Sequence, residues 1–224
     1  MPISNILKMN LAKHIARVAA VSITILFAQC AHTLDINKTG SRGLWQLTGE
    51  IAKGDLDRFV DLVEDSGSLP DEVLITSEGG DVTEAIALGE LFRTALITTT
   101  AVRTCNSACF LLWAGGVERK HVGTTFGLHR PYFDASYFSE LTPAEAAEKY
   151  DELERTVRSY LMKASIPTSV IDKMMSTSSQ DGHFLPGDEA VRAVGNLPGH
   201  EEWIIAKCGG LDKKERAEIG RAHV

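Results

Sequence analysis

A serine, a histidine and a pair of glycines are the residues of this chain whose types and spacing could do chemistry. Ser107 lies in the run Cys105–Cys109, and His129 follows 22 positions later. Gly79 and Gly80 lie upstream of both, directly after an apolar run. A hydroxyl can act as a nucleophile, an imidazole as its base, and the backbone N–H groups of a glycine turn as donors to an oxyanion. This combination is typical of serine hydrolases.

The segments that must position these residues alternate between strand and helix patterns. Alternating or β-branched apolar runs predict strands, and apolar residues at helical spacing predict helices. Such alternation predicts an α/β fold with a mostly parallel sheet and helices packed on it. Ligands in such folds bind at the carboxyl ends of strands, where both the glycine pair and Ser107 are expected. The predicted strands are 44–51, 72–77, 96–102 and 124–129, and the predicted helices are 55–63, 81–94 and 106–113.

The segments around this core are predicted from weaker signals. Residues 32–43 are expected to form an exposed lead-in, and residues 201–224 a C-terminal tail. Thr142 and Pro143 supply an N-cap and a first-turn proline for a long helix that ends near Ala164. Further helices are predicted at 168–175 and, after a loop over 176–182, in a short segment that ends near Gly195.

The first 31 residues differ in kind from the rest. Three basic residues precede an apolar run at 18–28, and no acidic residue occurs before Asp35. This order predicts a secretory signal peptide. The run of 11 residues is shorter than the about 20 that cross a bilayer, although a retained signal anchor is the alternative. We predict a signal peptide or anchor at 1–31 and one domain at 32–224 with its core at about 44–200.

Composition narrows the classes of partner. The chain has 224 residues, of which 44% are hydrophobic, and its formal net charge is -7. Loss of residues 1–30 would leave the exported domain at -10, because that segment holds three basic residues. A domain with this much negative charge is not expected to bind nucleic acids or anionic membranes. Membrane attachment is therefore expected only through a retained N-terminal segment. No His or Cys cluster at ligand spacing predicts a metal, and no cofactor motif occurs.

Export would place the cysteines where disulfides persist. Without Cys30, which would leave with the signal, the chain keeps Cys105, Cys109 and Cys208, an odd number. A bridge between Cys105 and Cys109 would brace the turn that carries Ser107. The other interpretation is that Cys109 is simply a small buried residue on a helix, and only geometry decides between them.

The ordered motifs resemble one known family. A Gly-Glu-Ile strand end is followed by Ser-x-Gly-Gly before a helix, by a serine that opens a helix ending in Ala-Gly-Gly, and by His-x-Pro. In this order they resemble the Clp-protease-like members of the ClpP/crotonase superfamily. The resemblance implies Ser107 as nucleophile, His129 as general base, and the N–H groups of Gly80 and Ala108 as the oxyanion hole. It also implies a polypeptide substrate and a homo-oligomer.

The chain departs from that family at the third catalytic residue. The family's aspartate falls near Ser178 here, and the nearest acid is Asp181. Asp181 could orient His129 if the loop shifts by about one helical turn. Otherwise the site works as a Ser/His pair, a serine hydroxyl orients the imidazole, or catalysis is impaired, since loss of the acid can cost about four orders of magnitude in turnover.

Other interpretations have their own expectations. Ser107 could be a helix N-cap, a common role of serine. His121, in a Lys-His-Val segment, is interpreted as a solvated loop residue and a weaker candidate for the base. The protein as a whole could be a catalytically weak binding or assembly protein of the same fold. A crotonase-type acyl-CoA enzyme is disfavoured by the predicted export, because CoA esters are cytosolic.

Overall fold

The protein is built on one six-stranded sheet. The computed structural model describes residues 33–133 and 135–208. The order of the strands across the sheet is their order along the chain. The strands are β1 Asp35–Lys38, β2 Leu44–Thr48, β3 Glu72–Ser77, β4 Thr98–Asn106, β5 Arg119–Leu128 and β6 His183–Pro186.

The centre of the sheet is parallel and its two edges are antiparallel. Strands β2, β3, β4 and β5 run parallel to one another. The edge strands β1 and β6 run antiparallel to β2 and β5. The predicted α/β class with a mostly parallel sheet is therefore confirmed.

Seven α-helices accompany the sheet in the part of the chain that the structure describes. Parallel neighbours need crossover connections, and the first three helices supply them between β2 and β5. A short 3-10 helix, Ala135–Phe138, lies in the segment after β5. The α-helices are α1 Asp55–Ser66, α2 Val82–Thr94, α3 Ala108–Ala114, α4 Pro143–Lys163, α5 Thr168–Ser176, α6 Gly187–Val194 and α7 Pro198–Cys208.

One cluster of buried apolar residues joins the sheet to the crossover helices and to α4, α5 and α6. Alternate residues of β2 and β3 are buried, as expected for strands with one covered face. Trp45 of β2 packs against Phe59 of α1 with ring centroids 5.3 Å apart. Phe59 packs at the same distance against Phe92 of α2. Aromatic packing thus fixes the first two helices on the sheet.

The lead-in predicted at 32–43 is wrong. Residues Asp35–Lys38 form β1, and the side chains of Leu34 and Ile36 are buried. The segment is polar because an edge strand exposes most of its side chains, which masks the alternation. The first residues of the tail predicted at 201–224 are helical, since α7 extends from Pro198 to Cys208.

The strands that lead to the site are longer than the sequence predicts. β4 continues four residues past the predicted end at Val102, and α3 begins at Ala108 rather than Asn106. Arg103, at a φ of 63°, lies where the pairing of β4 with β5 shifts register. A bulge of this kind lets a polar stretch continue a strand that its composition does not predict. Strand β4 therefore leads directly to Ser107.

The beginning of the long helix α4 follows the prediction. The Thr142 hydroxyl accepts a hydrogen bond from the Glu145 N–H, and the Glu145 carboxylate accepts one from the Thr142 N–H. This reciprocal capping box satisfies two N–H groups that the first turn leaves unpaired. Pro143 occupies the first helical turn, where no hydrogen-bond donor is needed.

A buried arginine joins the ends of three helices. Arg119, 1% exposed, donates to the carbonyls of Ala114 at 2.7 Å, Ala164 at 2.6 Å and Gly195 at 3.2 Å. These carbonyls lie at the C-terminal ends of α3, α4 and α6, where helix dipoles favour a cation. Burial lowers the pKa of the guanidinium to about 10, so it stays charged at neutral pH.

Two predictions concern residues that the structure does not describe. The signal segment at 1–31, with Cys30, lies outside the described residues, and so do residues 209–224 of the predicted tail. Within residues 33–133 and 135–208, none of the helices combines the length and apolar character that a bilayer crossing requires.

Candidate functional site

Ser107 occupies a sharp turn between β4 and α3. Its backbone has φ 54° and ψ -125°, a conformation that glycine adopts readily and other residues rarely. Strained backbone of this kind costs of order 1–3 kcal/mol and clusters at functional sites. A serine on a strained strand-to-helix turn is also how nucleophile elbows expose a hydroxyl.

The hydroxyl of Ser107 is not used to cap the helix. Ser107 holds the N-cap position of α3, but its side chain makes no cap hydrogen bond. Its backbone N–H instead donates to the Gly127 carbonyl of β5 at 2.7 Å. The residue is half-buried. The backbone of this turn is therefore strained, and the serine does not form the side-chain hydrogen bond that an N-cap serine usually forms.

A disulfide crosses the turn. Cys105 at the end of β4 is bonded to Cys109 in the first turn of α3, with Cα atoms 5.1 Å apart. Both cysteine side chains are fully buried. The bridge ties the strand to the helix on either side of Ser107 and so limits relaxation of the strained turn.

The Gly79–Gly80 turn is held by short hydrogen bonds on both sides. The Gly79 N–H donates to the Ser77 hydroxyl at 3.0 Å. Ile51, just after β2, donates its N–H to the Gly79 carbonyl at 2.8 Å and accepts from the Asp81 N–H at 2.7 Å. A side chain at Gly80 would collide with the Ile51 backbone, since its Cβ would lie 2.8 Å from the Ile51 nitrogen. Only glycine allows this close approach.

The glycine turn and the serine turn lie against each other. A Cβ on Gly79 would lie 2.8 Å from the Ser107 Cβ and 3.1 Å from the Ala108 nitrogen. The Asn106 side-chain amide donates to the Glu78 carboxylate at 2.6 Å, which links the same two turns from the outside. The two turns that the sequence singled out are therefore brought together.

Two backbone N–H groups at this contact have no acceptor. Among the described residues, neither the Gly80 N–H nor the Ala108 N–H donates a hydrogen bond to the protein. The Ala108 N–H belongs to the first turn of α3, whose donors have no partner within the helix. Unpaired N–H groups beside a serine are suited to stabilise an oxyanion that forms on an attacked carbonyl.

His129 follows β5 and is oriented by a backbone carbonyl. Its Nδ1 lies 2.8 Å from the Arg130 carbonyl oxygen. A carbonyl oxygen only accepts hydrogen bonds, so Nδ1 carries the proton and Nε2 is left with a lone pair. Nε2 is therefore the nitrogen that can take a proton from a hydroxyl.

Ser107 and His129 lie at neighbouring strand ends, joined through the bond between the Ser107 N–H and Gly127. Within residues 33–133 and 135–208, no hydrogen bond joins the Ser107 hydroxyl to the imidazole. Catalytic hydrogen bonds are often long without substrate and shorten when the substrate binds. The two residues thus lie at the carboxyl ends of β4 and β5, and their side chains are not hydrogen-bonded to each other in the described residues.

Neither candidate for the third residue contacts His129. Asp181 is exposed, and no described residue pairs with its carboxylate through a hydrogen bond or ion pair. The Ser178 hydroxyl accepts from the Gln180 N–H at 3.1 Å, and so shapes its own loop. The loop does reach the site, because the Arg130 N–H donates to the Thr177 carbonyl at 2.9 Å. The orienting acceptor is thus the Arg130 carbonyl, which no sequence signal could reveal.

His121 has a carboxylate partner but lies elsewhere. It belongs to β5 rather than to a loop, and its Nε2 lies 3.0 Å from the exposed carboxylate of Asp188. In the register of the sheet it is opposite Ala101, whereas Gly127, near the serine turn, is opposite Asn106. His121 is therefore on a part of β5 distant from Ser107.

Within the described part of the chain, a search for metal-ligand clusters and for cavities gives no further candidate residues for this site. The described residues contain no group of three or more His, Cys, Asp or Glu side chains placed to hold a metal ion. An open cavity of about 340 Å³ lies between α2 and α4, lined mainly by charged and polar side chains such as Glu90, Glu152 and Lys163. It contains none of the candidate site residues.

Two comparisons with known proteins were made for this chain, one with family models and one with curated proteins. No family model matches the chain. A search of curated proteins also finds no match.

Proposed function

We propose that the protein is a serine hydrolase in which Ser107 is the nucleophile and His129 the general base. The observation that carries this proposal is the state of the serine. Its turn is strained and its hydroxyl makes no cap hydrogen bond. Among the described residues, the N–H of Ala108 and the N–H of Gly80, next to the Gly79 that packs against Ser107, donate to no protein acceptor. A role as helix cap does not explain the strain.

The family proposed is the ClpP/crotonase superfamily, with the Clp-protease-like members as the nearest kind. The motifs that resemble it occur in order at the carboxyl ends of β2, β3, β4 and β5. Polypeptide is the substrate proposed on that resemblance, and a homo-oligomer is the proposed assembly. The bridged cysteines and the charge-then-apolar N-terminus support a periplasmic or secreted location, because disulfides persist there.

The proposed mechanism gives each of these groups one role. As the Ser107 oxygen attacks a carbonyl carbon, His129 Nε2 takes the hydroxyl proton, and the N–H groups of Gly80 and Ala108 bind the oxyanion. Collapse of the intermediate breaks the bond to the leaving group, which takes the proton from His129. Water then hydrolyses the acyl-enzyme with the same base.

The Arg130 carbonyl replaces a carboxylate in only one of its two roles. It holds the imidazole in the tautomer that leaves Nε2 free, which is the role whose loss is most costly in triads. It carries no full charge, so it stabilises the imidazolium less than an aspartate would. We therefore expect slow but measurable turnover.

The direct test is covalent labelling. Purified mature protein is expected to react with a fluorophosphonate probe, and peptide mass spectrometry should place the single adduct on Ser107. Labelling of denatured protein serves as the control, because a bare serine hydroxyl is a weak nucleophile. An adduct on another residue, or none on the folded protein, would contradict the assignment.

Substitution of Gly79 by alanine tests the oxyanion hole. The added methyl would press on Ser107 and on the Ala108 nitrogen, so turnover should fall by about 10²–10³, as for loss of one oxyanion donor. Gly123→Ala is the matched control, since Gly123 also has a positive φ but leaves open space where a Cβ would lie. Equal turnover in the two variants would argue against the proposed hole.

A second candidate function is that of a catalytically weak binding or assembly protein with this fold. The absence of a carboxylate at His129 and of a Ser107–His129 hydrogen bond among the described residues favours it. The two functions differ in what Ser107→Ala does in cells. Full biological function in that variant would support the binding protein, and loss of function would support the hydrolase.

A further inference from the structure

Tyr132 is placed apart from the other aromatic residues of its segment. Phe133 stacks on Tyr137 at 4.4 Å, and Phe138 packs edge-on against both. These three rings form a small cluster of their own around the 3-10 helix. The Tyr132 ring instead lies 5.8 Å from the His129 imidazole.

The backbone on both sides keeps Tyr132 in this place. Pro131 is buried on one side, and Phe133 is held in the aromatic cluster on the other. The Arg130 N–H is bonded to the Thr177 carbonyl, which anchors the start of the segment. Despite this anchoring, the Tyr132 side chain is 57% exposed. A fixed and exposed aromatic ring beside a candidate base is a surface on which a ligand can pack.

The position of the base tells which part of a substrate would meet this ring. The oxyanion donors lie on the side of Gly80 and Ala108, so the carbonyl oxygen of a substrate points there. The base that returns its proton must face the leaving group. Because the Tyr132 ring lies 5.8 Å from that base, a leaving group that takes its proton from His129 would come within reach of the ring.

We propose that Tyr132 forms a subsite for an apolar side chain on the amine that leaves when a peptide bond is cleaved. The inference rests on the proposed hydrolase function and adds its substrate preference. An aromatic or branched aliphatic residue directly after the scissile bond would cover the exposed face of the ring. Burial of that apolar surface would favour such substrates by about 10-fold over glycine.

Acyl transfer to amines measures this side of the site directly. The protein is acylated with p-nitrophenyl acetate, and the acyl-enzyme is then offered phenylalaninamide or glycinamide in competition with water. The amine nitrogen bonds to the acyl carbon, the bond from that carbon to the Ser107 oxygen breaks, and His129 moves the amine proton to that oxygen. Phenylalaninamide is expected to capture the acyl group about 10-fold better than glycinamide.

Three variants separate a subsite from a positioning role. Tyr132→Phe should keep the preference for phenylalaninamide over glycinamide, and Tyr132→Ala should lose it. Met162→Ala removes an apolar side chain that is 61% exposed on α4, and it should behave as the wild type.

The outcomes distinguish failure of the Tyr132 subsite from failure of the proposed hydrolase function. If Tyr132→Ala slows hydrolysis and both amines by one common factor, the ring only positions His129 and the subsite is refuted. Equal capture of both amines by the wild type refutes it as well. If the wild type forms no acyl-enzyme and no fluorophosphonate adduct, the hydrolase function itself fails, and the subsite with it.

Discussion

Replacement of Ser107 by glycine is expected to abolish turnover and, at the same time, to make the protein more stable. Turnover should fall by at least about 10²-fold, because the members of a catalytic site act as a unit and loss of the nucleophile costs less where the acid is already missing. The free energy of unfolding should rise by about 1 kcal/mol, since glycine relieves strain that serine stores at φ 54°. Chemical denaturation and ester hydrolysis on the same preparation measure both effects.

The alanine variant completes this test. Ser107→Ala keeps the backbone strain and removes the hydroxyl, so turnover should fall as far as in the glycine variant. Its free energy of unfolding should stay within about 0.5 kcal/mol of the wild type. If Ser107 were instead a structural helix cap, the alanine variant would lose about 1 kcal/mol and the glycine variant only about a few tenths of a kcal/mol. Such a loss with unchanged turnover would overturn its assignment as nucleophile.

Substitution of Arg119 by methionine is expected to destabilise the protein strongly while leaving the candidate site intact. It removes the donors to three helix-end carbonyls in a buried place. Buried polar groups that lose their partners cost about 1–3 kcal/mol each, offset in part because no charge need be buried. We expect a loss of about 3 kcal/mol, or about 6–12 °C in melting temperature for a domain of this size.

Arg158 offers a matched control on the surface. Its guanidinium pairs with Glu154 and Asp172 at 2.7 Å each, in a partly exposed position. Exposed ion pairs contribute about 0–1 kcal/mol, so Arg158→Met should be nearly neutral. Arg119→Lys should recover little, because one ammonium cannot reach three carbonyls as a planar guanidinium does. Equal melting temperatures for Arg119→Met and Arg158→Met would contradict this role.

The centre of the fold could be predicted from the sequence because its apolar pattern is strong there. Strand β3 has the predicted bounds Glu72–Ser77, and α2 lies one residue inside the predicted 81–94. Asp81, which precedes it, accepts a hydrogen bond from Glu84 as its N-cap. Buried parallel strands and one-sided helices carry these patterns because burial selects for them.

The edges of the sheet could not be predicted in the same way. β1 and β6 have four residues each and pair on one side only. Their side chains are mostly exposed or half-buried, so selection for apolar residues is weak. The burial of Arg119 could not be predicted either. A charged residue at the start of a strand is expected to be exposed, but the carbonyls that accept from Arg119 belong to three segments that are distant from one another in the sequence.

The candidate site was predictable in its side chains but not in its backbone contacts. Ser107 and the glycine pair carry recognisable types and spacing, and the structure brings them together. The Arg130 carbonyl that orients His129 belongs to a peptide group, which every residue has. No residue type marks such a carbonyl, so a side-chain acid such as Asp181 is the kind of partner that a sequence suggests.

The order of the strands has a consequence for synthesis of the chain. Each strand of the sheet after β1 pairs with the one made immediately before it, through to β6. A growing chain that folds from its N-terminus therefore finds each new strand's partner already in place. The glycine turn and the serine turn emerge together early, whereas the His129 segment and its anchor at Thr177 follow later. The proposed nucleophile would thus be in place before its proposed base, and on that proposal a nascent chain would stay inactive until the sheet is nearly finished.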